Sequence, residues 1–203
     1  MRIIAGEHRG RKLLPPEGDV TRPITDRVKQ SLFDILSPRI EGARVYDCFA
    51  GTGSMGLECL SRGATHATFF EADRSALTRL AKNIEAIRAG DRTRVVKGDL
   101  FKWFADQVDP NTRSGPADLI FLDPPYRFLR EQPAALVKLA EQFAAVHLAD
   151  DGLVVFRHDV ADHLTLPPLN VVDQREYGGM VLEFLQSSAK ASRPSIAESS
   201  DPQ

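Results

Sequence analysis

The sequence predicts an α/β fold in which helices cover both faces of a mostly parallel sheet. Three observations support this. Short apolar, β-branched runs alternate with amphipathic segments, a glycine-rich loop follows the first long run, and acidic residues stand where several runs end. Strands that alternate with helices form crossover units around a parallel sheet. With 203 residues, 42% hydrophobic and 27% charged, the chain can bury a sizeable core as one globular domain.

The expected core strands are five apolar runs, at residues 44–48, 67–72, 93–97, 117–122 and 153–156. The clearest helix spans residues 75–89, because apolar side chains recur there at spacings of three and four and form one stripe. A second helix is expected at 133–146. Two short apolar runs around Tyr177-Gly178-Gly179, at 170–172 and 181–185, predict a closing hairpin.

The ends of the chain do not fit this alternation. Residues 1–43 are expected to form an extension in which Gly6 and Gly10 allow turns and Arg9, Arg11 and Lys12 cluster with Arg2. A helix that Thr25 caps should follow and end near Ser37. The main domain is expected at 44–185. Residues 186–203 are rich in Ser and contain no aromatic residue, so we expect a disordered tail.

Composition limits the possible partners and the compartment. A formal net charge of −2 gives no overall attraction for polyanions, so a nucleic-acid partner requires a local basic patch. Four basic residues against one acidic residue in the first fourteen provide such a patch. We expect a cytoplasmic protein with reduced Cys48 and Cys59, because signal-peptide and membrane-spanning patterns are missing. The five histidines and two cysteines show no metal-ligand spacing, so no metal is expected.

The glycine-rich loop predicts a nucleotide-type cofactor. Gly51, Gly53 and Gly56 follow the first core strand and allow a tight turn, close approach of a ligand and close packing of the next helix. Glu71 ends the second strand, twenty residues past Gly51. By itself this pattern also fits a nicotinamide dinucleotide.

Acidic residues at three strand ends favour S-adenosylmethionine. Asp47 precedes the loop, where a carboxylate suits a cationic ligand better than a pyrophosphate. Glu71 can accept hydrogen bonds from both ribose hydroxyls, and Asp99 can accept one from the adenine amino group. The alternative is that these acids only end strands and cap helices.

The fourth strand runs directly into Asp123-Pro124-Pro125-Tyr126. Asp123 and the carbonyl of Pro124 can both accept hydrogen bonds from one amino group, and Tyr126 offers a flat face to a base. Two such acceptors favour the geometry in which the lone pair of an exocyclic amine points at a methyl donor. A simple Pro-Pro turn that ends a strand is the alternative.

These motifs resemble those of class I S-adenosylmethionine-dependent N-methyltransferases with a Rossmann-like fold. The amino-terminal pieces, residues 2–6, 9–12, 22–28 and Leu32-Phe33, are similar to the RsmD family, which methylates the N2 amine of one guanine in 16S ribosomal RNA of the small subunit. The resemblance covers residues 1–185. It implies a seven-stranded sheet with an antiparallel last strand and an amino-terminal hairpin that contacts RNA.

Carried over by position, the resemblance implies a set of site residues. The expected cofactor contacts are Asp47, Phe49, Ala50, Gly51, Gly53, Glu71, Asp99, Leu100, Arg22 and Thr25. The expected acceptor site is Asp123, Pro124, Pro125 and Tyr126, and the expected RNA contacts are Arg9, Arg11 and Lys12. One position departs from the family pattern. Arg157 stands where relatives usually have an acidic residue, so the resemblance assigns no role to that strand end.

Three other functions account for only part of the sequence. A C5-cytosine methyltransferase needs a nucleophilic cysteine after Pro or Thr, which neither Cys48 nor Cys59 provides. A DNA amino-methyltransferase, acting on adenine N6 or cytosine N4, shares the Asp-Pro-Pro-Tyr motif but usually has a larger recognition region. A non-enzymatic RNA-binding module would keep the basic cluster without needing the acids at three strand ends.

Overall fold

The computed structural model describes residues 1–17, 24–106 and 115–187. The helices are α1 (Asp26–Leu36), α2 (Ser54–Ser61), α3 (Arg74–Ala86), α4 (Leu100–Asp106), α5 (Arg127–Glu131) and α6 (Pro133–Gln142). The strands are β1 (Arg44–Cys48), β2 (His66–Glu71), β3 (Thr93–Lys97), β4 (Ala117–Leu122), β5 (Leu148–Asp159), β6 (Leu169–Tyr177) and β7 (Met180–Ser187). Arg22 and most of the expected tail lie outside the described residues.

The strands form one seven-stranded sheet in the order β3-β2-β1-β4-β5-β7-β6. The first five strands pair in parallel, and β7 runs antiparallel to both β5 and β6. The predicted α/β class and the antiparallel last strand are therefore confirmed. No helix in the described ranges is long and apolar enough to span a membrane.

Apolar side chains alternate between the two faces of the sheet and build two cores. Val45 and Phe69 belong to one core with the apolar faces of α1, α2 and α3. Tyr46 and Phe70 belong to the other, which α4 and α6 cover. Ile3 joins the first core, so the amino-terminal hairpin packs on the main domain rather than standing apart from it.

Several element boundaries differ from the sequence prediction. The helix expected at 75–89 ends at Ala86, because Arg88 adopts a left-handed φ of 52° and the N–H of Ala89 bonds the carbonyl of Ile84. The helix expected to reach 146 ends at Gln142, and one π-helical turn leads directly into β5. β5 is much longer than residues 153–156. β7 extends two residues into the expected tail.

The amino-terminal hairpin is tight and short. Only Arg2 and Lys12 form a strand-type bridge, although backbone hydrogen bonds also join Ile3 to Arg11 and to Gly10. Gly6 turns the chain at a φ of 81°, and a Cβ there would lie 1.8 Å from the carbonyl oxygen of Ser61. The hairpin therefore depends on a glycine at that position to reach α2.

Buried polar contacts fix this hairpin to α2. The carboxylate of Glu58 accepts the backbone N–H groups of Ile4 and Ala5 at 2.8 and 3.0 Å. The same carboxylate pairs with Lys29 of α1 at 2.9 Å, and both side chains are almost fully buried. The expected cap of α1 is also present, since Thr25 Oγ1 accepts the N–H of Val28 at 3.3 Å. One carboxylate therefore joins the hairpin, α1 and α2.

Candidate functional site

The expected site lies where the strand order reverses. The chain continues from β1 to β2 and β3 on one side, whereas β4 and β5 lie on the other. In open parallel sheets, ligands bind in the crevice at the carboxyl ends of the strands beside such a reversal. Asp47 near the end of β1, Glu71 at the end of β2 and Asp123 after β4 all belong to this edge.

The loop between β1 and α2 takes its shape from residues in left-handed conformations. Phe49, Gly51 and Gly53 have φ angles of 60°, 55° and 85°. A Cβ at Gly51 would meet no atom within 4 Å, so this position is open to a ligand. A Cβ at Gly56 would lie 2.4 Å from the ring of Phe69, so glycine there permits the close packing of α2 on β2.

Asp47 is a buried carboxylate at the centre of the site, with 3% of its surface exposed. Its Oδ2 accepts the N–H of Gly56 at 2.8 Å. Burial raises the pKa of Asp47 to about 7; the Gly56 hydrogen bond opposes this shift, and the nearby charges of Asp123 and Glu71 add to it. A cationic ligand would relieve this concentration of negative charge, whereas a pyrophosphate would increase it. The site therefore fits S-adenosylmethionine better than a dinucleotide.

Glu71 holds the glycine-rich loop in place. Its Oε2 accepts the N–H of Gly51 at 2.6 Å, and its Oε1 accepts the N–H groups of Ala72 and Asp73 at 2.8 Å each. A ribose that binds here must share these oxygens with the backbone. Glu71 therefore links the loop to the end of β2.

Three other expected cofactor contacts have clear structural roles. Asp99 caps α4, with Oδ1 accepting the N–H of Phe101 at 2.8 Å, while its side chain remains exposed. Thr25 caps α1 in the same way. Leu100 is 5% exposed and packs in the core. Capping and ligand binding are compatible for Asp99, since a carboxylate has two oxygens.

Two aromatic residues that the sequence analysis did not select also line this edge. The rings of Phe101 and Phe128 lie 5.9 and 5.7 Å from the ring of Phe49, centroid to centroid, and all three residues are half-buried. Phe101 stands two residues after Asp99, and Phe128 two residues after Tyr126. An aromatic residue two positions beyond each polar motif is the signal that could have identified them.

The Asp123-Pro-Pro-Tyr126 segment links β4 to α5. The side chain of Asp123 is 30% exposed and lies 3.1 Å from Nη1 of Arg157 on β5. Burial raises the pKa of Asp123, and the positive charge of Arg157 opposes that shift. The guanidinium of Arg157 also lies 6.0 Å from the ring centroid of Tyr126. Two members of the expected acceptor site therefore contact the same arginine, to which the sequence analysis assigned no role.

The basic cluster lies on the hairpin surface. Arg9, Arg11 and Lys12 are exposed, and none of them forms an ion pair with another described residue. The buried side chain of Asn83 bonds the N–H of Leu14 at 2.7 Å and the carbonyl of Thr52 at 2.9 Å. One amide therefore connects the hairpin to the glycine-rich loop.

Neither cysteine is suited to nucleophilic attack. Cys48 ends β1 and Cys59 lies within α2; both are fully buried, and burial raises the pKa of both thiols. Among residues 1–17, 24–106 and 115–187, no group of three or more His, Cys, Asp or Glu side chains is arranged to hold a metal ion. Amine chemistry at the Asp123 segment is thus better supported than ring C5 chemistry.

The sheet order, the glycine-rich loop, the acids at the strand ends and the Asp-Pro-Pro-Tyr segment together define a class I S-adenosylmethionine-dependent methyltransferase. The family model described as "Conserved hypothetical protein 95" matches residues 1–186. The chain belongs to this family, the RsmD family of methyltransferases.

Comparison with individual relatives agrees with this assignment. The chain is 39% identical over 176 residues to "Ribosomal RNA small subunit methyltransferase D" of Escherichia coli strain K12, covering 87% of this chain and 83% of that protein. It is 35% identical over 159 residues to "Putative rRNA methyltransferase YlbH" of Bacillus subtilis, covering 78% and 83%. A solved structure titled "Putative methyltransferase yhhF from Escherichia coli" superimposes with a TM-score of 0.79 at 37% identity, covering 93% of this chain and 98% of that one.

Proposed function

We propose that this chain transfers a methyl group from S-adenosylmethionine to the exocyclic N2 amine of one guanine in 16S ribosomal RNA of the small subunit. The observation that carries the proposal is the position of Asp123-Pro-Pro-Tyr126 at the end of β4, directly beside the end of β1 and its cofactor loop. The names of the Escherichia coli and Bacillus subtilis relatives support ribosomal RNA as the substrate. The substrate also implies that the enzyme works in the cytoplasm.

The cofactor residues act by binding and orientation. When bound, S-adenosylmethionine supplies a methyl group on a positively charged sulfur. Asp47 and Glu71 provide negative charge and hydroxyl acceptors, while Gly51 leaves space for the ligand against the loop backbone. The half-buried rings of Phe49, Phe101 and Phe128 offer apolar surface for the adenine. The acceptors, the negative charge and the apolar rings of the crevice thus match the hydroxyl groups, the positive charge and the adenine of the cofactor.

The acceptor residues act on the target amine. Asp123 and the Pro124 carbonyl each accept a hydrogen bond from one N–H of the amine, which turns the nitrogen lone pair toward the methyl group. Bound S-adenosylmethionine would supply the methyl group and keep the electron pair of the broken C–S bond on its sulfur. The methylated amine nitrogen would carry a positive charge until it releases one proton to solvent. An ionised Asp123 stabilises this charge by electrostatics and by its hydrogen bond.

RNA contact involves the hairpin in this proposal. Arg9, Arg11 and Lys12 have exposed charges that can neutralise phosphates, which gives affinity without sequence information. The Asn83 contacts hold the hairpin next to the cofactor loop. RNA that binds the hairpin is therefore held close to the crevice.

A methyl-transfer assay tests the proposal. Small ribosomal subunits from a strain that lacks this gene are incubated with the enzyme and S-adenosylmethionine carrying a labelled methyl group, and the RNA is digested to nucleosides. We expect the label in N2-methylguanosine. Subunits from the parent strain, already methylated, serve as the control and should remain unlabelled. Label in another nucleoside, or in DNA offered to the same enzyme, would overturn the proposal, as would cofactor binding with no transfer to subunits.

A further inference from the structure

Arg157 occupies a constrained position beside the acceptor site. It lies on β5, where Phe156 pairs with Leu122, the last residue of β4. Arg157 and Asp123 directly follow these two residues and therefore lie side by side. The side chain of Arg157 is 9% exposed, and its Nη1 lies 3.1 Å from Asp123 Oδ2. A strand of twelve residues in the sheet interior provides a rigid base for this side chain.

We propose that Arg157 is a positioning residue for methyl transfer: it fixes the Asp123 carboxylate and the Tyr126 ring in the arrangement that receives the target amine. The inference rests on the proposed function, since it assigns Asp123 and Tyr126 to the acceptor site. Arg157 binds Oδ2 of Asp123, which directs Oδ1 toward the amine. The guanidinium lies 6.0 Å from the Tyr126 ring centroid, so the opposite face of the ring is presented to the base.

The charges around Asp123 make this arginine important. The buried Asp47 of β1 brings a second carboxyl group near Asp123, and β5 brings the Arg157 guanidinium. Lys29 of α1 acts on Asp47. Burial raises the pKa of Asp123, and Arg157 opposes this. Without the arginine, Asp123 would hold a proton at higher pH, and a protonated carboxyl has one oxygen that donates instead of accepting.

The planar guanidinium suits this double contact. The N–H groups of the guanidinium can donate hydrogen bonds to a carboxylate while the guanidinium also lies against an aromatic ring. A lysine ammonium is a point charge without a plane. A lysine at this position should therefore restore the charge on Asp123 but not the orientation of Tyr126. The two effects of Arg157 can be separated by comparing two variants.

The first experiment measures kcat/KM for transfer to unmethylated subunits from pH 5.5 to 9. In Arg157→Gln we expect the acidic limb of the profile to move up by about one pH unit, with a loss that reaches about tenfold on that limb and is recovered in alkali. Arg157→Lys should return the limb toward that of the wild type while kcat stays reduced. Arg130→Gln removes an exposed arginine paired with Asp162 and should match the wild type.

A second measurement does not depend on the RNA substrate. The carboxyl carbon of Asp123 is titrated by NMR in the cofactor-free protein, and its signal is assigned by its loss in Asp123→Asn. We expect its midpoint to rise in Arg157→Gln and to recover in Arg157→Lys. Binding of S-adenosylhomocysteine within about twofold of the wild type shows that the variants are folded.

The two measurements separate the inference from the proposed function. If the wild type does not methylate subunits, the proposed function fails, and the NMR titration still decides whether Arg157 controls Asp123. An unchanged midpoint in Arg157→Gln would overturn the inference. So would superimposable pH profiles, or a loss of activity of equal size at every pH, which indicates a structural role only.

Discussion

The crevice at the strand ends and the amino-terminal hairpin use charge in opposite ways. In the crevice, Asp47 and Asp123 are buried or half-buried, and each has a fixed partner, the Gly56 N–H for one and Arg157 for the other. On the hairpin, Arg9, Arg11 and Lys12 are exposed to solvent. The interaction energy of a buried charge depends strongly on the geometry of its contact with its partner. Exposed charges act at longer range and are screened by salt. Single substitutions in the crevice should therefore abolish most of the methyl transfer, whereas substitutions in the hairpin should lower the affinity for RNA step by step.

The largest expected effect separates the two regions most clearly. Asp123→Ala should lower the rate of methyl transfer by about 10²–10³-fold or more, because it removes the carboxylate that we propose as the charged acceptor of the target amine. Affinity for S-adenosylhomocysteine, measured by calorimetry, should remain nearly unchanged. Glu131→Ala, which removes an exposed carboxylate on α5, serves as the control. A rate for Asp123→Ala equal to that of this control would contradict the assignment of Asp123.

A smaller effect should appear in the pH dependence of stability. Because burial raises the pKa of Asp47 to about 7, the folded cofactor-free protein keeps a proton that the unfolded chain releases. The contribution of Asp47 to the free energy of unfolding therefore falls as the pH rises from about 4 to about 7. Above that range this contribution changes little. Asp47→Asn keeps an acceptor for the Gly56 N–H but cannot ionise.

Urea unfolding at several pH values measures this difference. The advantage of Asp47→Asn over the wild type should grow by a few kcal/mol, on the order of 1–3, between pH 4 and 7 and then level off. Saturating S-adenosylmethionine should reduce the advantage, since its positive charges offset the Asp47 carboxylate. Parallel stability curves for the two proteins would mean that Asp47 ionises as an ordinary carboxyl group.

The smallest effect concerns the hairpin. Replacing Arg9, Arg11 and Lys12 by glutamine should weaken binding of small-subunit RNA by about tenfold near physiological salt, and should lower the slope of log K against log salt by up to about 2–3. The rate with saturating RNA should change little, because these side chains are outside the crevice. For single substitutions, Lys12→Gln is compared with Lys138→Gln, which removes an exposed cation on α6. Equal salt slopes for wild type and triple variant would remove the hairpin from the RNA surface.

The features predicted well from sequence depend on local patterns. β1, β3 and β4 begin and end where their apolar runs do, and Thr25 caps α1, because strand propensity and capping are properties of a few neighbouring residues. Asp47 and Asp123 could be selected for the same reason, since each stands next to a recognisable motif. Family resemblance added the number of strands, the antiparallel last strand and the hairpin.

The features that sequence alone did not provide depend on contacts between distant segments. Arg157 meets Asp123 because of the register of β5 against β4, which includes a shift between Ala117 and Leu119. Glu58 looks like one more polar residue on α2, yet it is fully buried and bonds the hairpin and Lys29. Pairing register and burial of this kind are decided by the packing of the whole sheet, so no local pattern reveals them.

The contacts that anchor the hairpin also determine when it can dock during synthesis. The partners of Ile4 and Ala5 on Glu58 lie 54 and 53 residues further along the chain, and Asn83, the partner of Leu14, lies 69 residues further. During synthesis the hairpin is made before α2 and α3, and it cannot dock until both helices have been made and have folded. The part of the molecule that we assign to RNA contact therefore waits for the segments that hold it, so the RNA surface is complete only when the loop between β1 and α2 has also been made.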